Sequence, residues 1–87
     1  MVRIKGVIVV EGYRVLLEFT DGSQRTVDLE QYLHGPIFED IRRDPAVFRS
    51  VAVHPRFGTI VWPNGADIDP DVLYQGLTPA RMEQQVP

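Results

Sequence analysis

Tyr13, Val15, Leu17 and Phe19 recur at every second position. That spacing lines up one face of a β-strand and rests it on a core. Before it, Arg3 to Val10 is rich in Val and Ile, and Glu11-Gly12 reads as a tight turn. After it, Thr20-Asp21-Gly22-Ser23 supplies the glycine that a hairpin turn needs, and Val27 and Leu29 alternate within Gln24 to Leu29. The first third therefore reads as a three-stranded antiparallel meander.

Past Asp28 the period changes. Tyr32, Leu33, Ile37, Phe38 and Ile41 recur at helical spacing, broken by Gly35-Pro36 into a short turn and a short helix ending near Arg43. Asp44-Pro45-Ala46-Val47-Phe48 then has the chemistry of a helix start. An Asp N-cap accepts from a free backbone N–H, and Pro at the first helical position loses nothing by lacking one. Ser50 to His54 and Thr59 to Trp62 read as a second hairpin joined by Pro55-Arg56-Phe57-Gly58. Asp69-Pro70-Asp71-Val72-Leu73 repeats the Asp-Pro start and opens a last short helix toward Tyr74 and Gly76. Residues 1–77 are expected to form a single domain. Residues 78–87 are expected to be a tail that frays, with at most one further turn at Thr78-Pro79.

A length of 87 residues is enough for one hydrophobic core, and 44% hydrophobic with 24% charged residues is a globular composition rather than a disordered one. The absence of cysteine removes disulfides, thiolate catalysis and zinc-finger chemistry together, and fits the cytoplasm. The apolar run Val7 to Val10 is too short for a membrane span or a signal-peptide core. Net charge is −3 and the nine Lys and Arg are scattered, so direct nucleic-acid binding is not expected.

The stretch from Gly58 to Tyr74, with Trp62-Pro63-Asn64-Gly65-Ala66-Asp67-Ile68-Asp69-Pro70-Asp71 at its centre, is distinctive. Together with the Asp21-Gly22 hairpin and Asp44-Pro45-Ala46-Val47-Phe48, it resembles a widespread bacterial family, domain-of-unknown-function family 2442, over roughly residues 3 to 76. The resemblance implies a compact α+β domain with no established enzymatic activity and no catalytic residues to carry over. It also implies frequent pairing with the gene of another small protein, in the manner of a toxin and antitoxin, and similarity to domains joined to a helix-turn-helix module. The few residues after 77 leave no room for such a module here, so protein binding is the expected role.

Four constellations invite chemistry. Asp67, Asp69 and Asp71 alternate like the first half of a calcium loop, but the glycine position falls on Val72, the bidentate-acid position on Thr78, and Pro70 stiffens the segment. Loop solvation and capping by Asp69 explain them without a metal. His34, His54, Ser23 and Ser50 lack the surroundings of a nucleophile elbow. Glu39-Asp40 beside Arg42-Arg43 reads as a solvated, ion-paired face, and the glycines have no phosphate-cradling spacing. Trp62, the only tryptophan, runs into the Pro63-Asn64-Gly65 turn, where its indole either packs over the sheet or joins an exposed recognition patch.

The expected architecture is α+β: an antiparallel three-stranded meander plus a second β-hairpin, with short helices packed on one face. The expected core is Ile4, Val15, Leu17, Phe19, Val27, Leu29, Ile37, Phe38, Ile41, Val47, Phe48, Val51, Val53, Ile60, Trp62, Ile68, Val72 and Leu73. The expected function is a non-catalytic protein-interaction module, in one version the antitoxin-like member of a two-gene pair. Its partner is then another small protein, a homo-oligomer is compatible with it, and no cofactor, metal or membrane is expected. The residues expected to meet the partner are Trp62, Pro63, Asn64, Asp67 and Tyr74. The competing readings are a regulatory domain working with a DNA-binding partner and a metal-binding protein or enzyme built on Asp67, Asp69 and Asp71.

Overall fold

The computed structural model describes residues 2–76; the tail expected over 78–87 lies outside them. Three strands open the chain: β1 (Ile4–Glu11), β2 (Arg14–Phe19) and β3 (Gln24–Asp28), paired antiparallel in the order β1-β2-β3. The period of two does what it implied. Val15, Leu17 and Phe19 are buried while Arg14, Leu16 and Glu18 turn to the other face. In β1 the pairing register slips at Lys5 and again at Val10, so this strand carries two bulges.

A 3-10 turn (Leu29–Tyr32) follows, then α1 (Pro36–Arg43) and α2 (Pro45–Phe48). The Asp-Pro pairs cap as expected. Asp44 accepts from Ala46 N–H at 3.0 Å, and Asp69 accepts from Asp71 N–H at 2.8 Å at the start of α3 (Pro70–Gln75). The α3 helix ends on Gly76 in the left-handed conformation, whose N–H reaches the Val72 carbonyl.

The expected second hairpin is present but grows into a three-stranded sheet. β4 (Ala52–Val53), β5 (Ile60–Val61) and β6 (Asp67–Ile68) pair antiparallel in that order. Each strand is only two residues, because Ser50 and Val51 still belong to the turn that closes α2: their N–H groups donate to the Val47 and Phe48 carbonyls. The two sheets meet where Ile4 N–H donates to the Gly58 carbonyl at 2.9 Å. Gly58 has φ of 67°, and a Cβ there would lie 2.5 Å from Arg3 Cβ, so the approach depends on the missing side chain.

One core spans both sheets, with Val15, Leu17, Phe19, Ile41, Phe48, Ile60, Trp62 and Leu73 all buried in it. Phe38, Val47, Val51 and Val53 pack against it half-buried, and Val72 is half-buried too. Ile37 corrects the expected core, being 48% exposed. On α1, Ile41 and Phe38 straddle the direction of the core, and at about 100° per residue Ile37 falls at the margin of that stripe. Leu33 and Ala66 take buried places that the expected core did not include.

Candidate functional site

The Trp62 to Ala66 segment is built from the inside out. Trp62 is 3% exposed, so its indole packs and does not project into a recognition patch. Its Nε1–H donates to the Phe48 carbonyl at 3.1 Å, and its ring lies edge-on to Phe38 with centroids 6.1 Å apart. That buried anchor holds the following turn, closed by Gly65 N–H to the Trp62 carbonyl and Trp62 N–H to the Ala66 carbonyl.

Asn64 joins this turn to the helical layer. Its Oδ1 accepts from Ala66 N–H at 3.0 Å, and its Nδ2 donates to the Ile37 carbonyl at 2.8 Å. Beside it lies an open hollow of about 420 Å³ lined by Asp40, Ala46, Val47, Ser50, Pro63 and Asn64. The exposed Ile37 side chain belongs to the residue whose carbonyl Asn64 holds, and Val47 adds a half-buried aliphatic wall. A second hollow, of about 350 Å³, lies on the other side of α2 between Pro45, Phe48 and the β1-β2 turn.

The remaining candidates stand elsewhere. Asp67 is exposed on β6 opposite Val61. Tyr74 on α3 packs edge-on to Phe19 and donates its hydroxyl to Asp21 at 2.7 Å, latching the helix to the β2-β3 turn. Asp21 also accepts from the Ser23 hydroxyl and backbone N–H. These bonds hold its carboxyl below the usual 3.8, with the Ser23 hydroxyl as the largest cause, then the Ser23 N–H and the Tyr74 hydroxyl. The same bond to the carboxylate pushes the Tyr74 hydroxyl above 10.0. Of the five residues expected to meet a partner, then, Pro63 and Asn64 come together on one hollow, Trp62 supports them from below, and Asp67 and Tyr74 have other neighbours.

Hydrolytic candidates are occupied in local structure. Ser50 Oγ donates to the Val47 carbonyl, and His54 Nδ1 accepts from the N–H groups of Arg56 and Phe57, both at 3.1 Å. His54 therefore carries its proton on Nε2 and stacks on Phe57 at 4.6 Å, organising the β4-β5 loop. Sequence spacing did not reveal that role, although His-Pro-Arg-Phe-Gly offers a side-chain acceptor two and three residues ahead of free N–H groups. Among the described residues no three His, Asp or Glu side chains gather as a metal site, and no helix is long and apolar enough to cross a membrane.

A family model described as "Protein of unknown function (DUF2442)" matches residues 4–79. No curated protein and no solved structure matches the chain.

Proposed function

The chain belongs to the DUF2442 family, and from its surface we propose that it is a non-catalytic interaction module whose partner, another small protein, docks on the hollow between α1, α2 and the Pro63-Asn64 turn. The observation that carries the reading is the pairing of a rigid rim with an uncovered aliphatic floor. Asn64 is fixed at both ends by hydrogen bonds, while Ala46, Val47 and Pro63 present apolar surface beside it. A preorganised rim costs little ordering entropy on binding, and an aliphatic floor gains from losing water.

Asp40 on the hollow's edge and the neighbouring Glu39 give the site an acidic margin, which suits a partner with a basic flank around an apolar residue. The antitoxin-like role is one form of this proposal, in which the small protein is the product of the paired gene. What supports that form is the family resemblance together with a surface suited to masking.

Ala46→Glu tests the site, because Ala46 is exposed and lines the hollow. Wild type, co-purified from its native cells at physiological salt, is expected to retain one small protein stoichiometrically. The variant, at unchanged melting temperature, is expected to lose at least tenfold in retention. A wild type that comes down alone, or a variant that retains the same protein, overturns the proposal.

A further inference from the structure

Among the described residues, the helices and the second sheet cover one face of the β1-β2-β3 meander and leave the other bare. Register pairs define three rows on that bare face. Ile8, Leu16 and Thr26 form the middle row, with Ile8 63% exposed and Leu16 half-buried. At one end Glu18 lies between Gly6 and Gln24, and Lys5 reaches it with its ammonium 3.7 Å from the carboxylate. At the other end Arg14 lies between Glu11, its ion-pair partner at 3.5 Å, and Asp28 on β3, next to Val10, which is 55% exposed. The face is thus an apolar band with Lys5 and Glu18 at one end and Arg14 between two acids, Glu11 and Asp28, at the other.

We propose that this face binds a second copy of the same chain, sheet against sheet, about a two-fold axis that lies between the sheets and crosses the strands. The charge pattern selects that axis. It sets Ile8 on Ile8 and Leu16 on Leu16 of the second copy, and it brings the Lys5-Glu18 end of one chain onto the Glu11-Arg14 end of the other. Lys5 then faces Glu11, and Glu18 faces Arg14, twice over by symmetry. An axis running along the strands would set Glu18 against Glu18 and Arg14 against Arg14, opposing like charges.

The size of the face fixes the strength. Three strands spaced about 4.8 Å apart, with about six residues rising about 3.3 Å each, cover on the order of 300 Å². A standard stable complex buries about 800 Å² per partner, so this dimer belongs to the weak, concentration-dependent class.

Sedimentation equilibrium of the full chain between about 10 µM and about 1 mM spans the range in which such an interface half-associates. The average mass is expected to climb toward twice the monomer. Ile8→Lys, at a solvent-exposed position, is expected to hold the protein monomeric throughout. Arg14→Glu and Glu18→Arg each set like charges face to face and are each expected to weaken association at least fivefold. The two changes in one chain gather the cations at one end and the anions, Asp28 among them, at the other, and association is expected to return to wild-type strength or beyond. Circular dichroism and melting temperature verify that each variant is folded. A wild type that stays monomeric at the highest concentration overturns the proposal. So do an Ile8→Lys protein that still dimerises, single charge swaps without effect, or a double swap that fails to rescue.

Discussion

β2 runs six residues and is paired along its length with a strand on each side, whereas β4, β5 and β6 have two residues apiece. The meander is held by its own backbone ladder, with Val15, Leu17 and Phe19 filling the core behind it. The second sheet has too few ladder bonds to stand in that way. Side chains that bond backbone take their place: Trp62 to the Phe48 carbonyl, Asn64 to Ile37 and Ala66, and His54 to the Arg56 and Phe57 amides. Long strands spread their stabilisation over many equivalent bonds, and short ones concentrate it in a few residues.

The sharpest way to break that contrast is Trp62→Ala. It removes a buried ring and one of the two donors to the Phe48 carbonyl, the other being the Val51 N–H, and is expected to cost about 3–5 kcal/mol. A chain of this size is stable by roughly 4–13 kcal/mol, so urea titration followed by circular dichroism should show at least about a quarter of the stability gone, and nearly all of it at the low end of that range. A loss under about 1 kcal/mol would mean that the second sheet stands without its anchor.

Asn64→Ala sharpens the same point without touching the core. It is expected to lose about 1–2 kcal/mol through its two bonds to backbone, read by the same titration. An exposed asparagine with no structural duty would cost less than about 0.5 kcal/mol, and that result would transfer the anchoring entirely to Trp62.

The smallest effect concerns the latch between the meander and α3, Tyr74 to Asp21. Asp21 titrates lower in the folded chain than its ordinary 3.8, so the stability it adds is present above that value and lost as pH falls through the folded one. Tyr74 is raised above 10.0, so its contribution is present below that and lost as pH rises through the folded value. Melting temperature is therefore expected to be flat between about pH 5 and pH 9 as far as this pair is concerned, with a shallow decline on each side. Asp21→Asn should flatten the acid side. Both groups lie at the surface, so a steep acid transition unchanged in that variant would assign it to other carboxylates.

The same division governs what could be read from the chain beforehand. The meander is legible because Tyr13, Val15, Leu17 and Phe19 declare their face by period alone, and the helix starts because Asp44-Pro45 and Asp69-Pro70 carry their capping chemistry locally. β6 is not legible, since two residues have no period and Asp67-Ile68 becomes a strand only once the Trp62-Ala66 turn closes. Ile37 and Ile41 look alike in spacing, and only the direction of the core separates them. At the candidate site, Pro63 and Asn64 were found through a distinctive motif. The bond from Asn64 to Ile37 spans 27 residues and that from Tyr74 to Asp21 spans 53, distances over which spacing says nothing. The bare sheet face was half visible, because Ile8 and Val10 are plainly apolar, but which side they take depends on the bulges in β1.

Gly58 carries a consequence for how such a domain can diverge. Its positive φ and its contact with Arg3 exclude any side chain, and its carbonyl is the point at which Ile4 ties the first sheet to the second. Elsewhere the two sheets meet through the side chains of their shared core, where one substitution can be compensated by another. At position 58 the obstacle begins at the Cβ of Arg3, which any shorter side chain there would still carry, and the positive φ would remain even if position 3 became glycine. Across descendants of this sequence the core residues are expected to vary in concert, while position 58 is expected to stay glycine for as long as β1 meets the second sheet there.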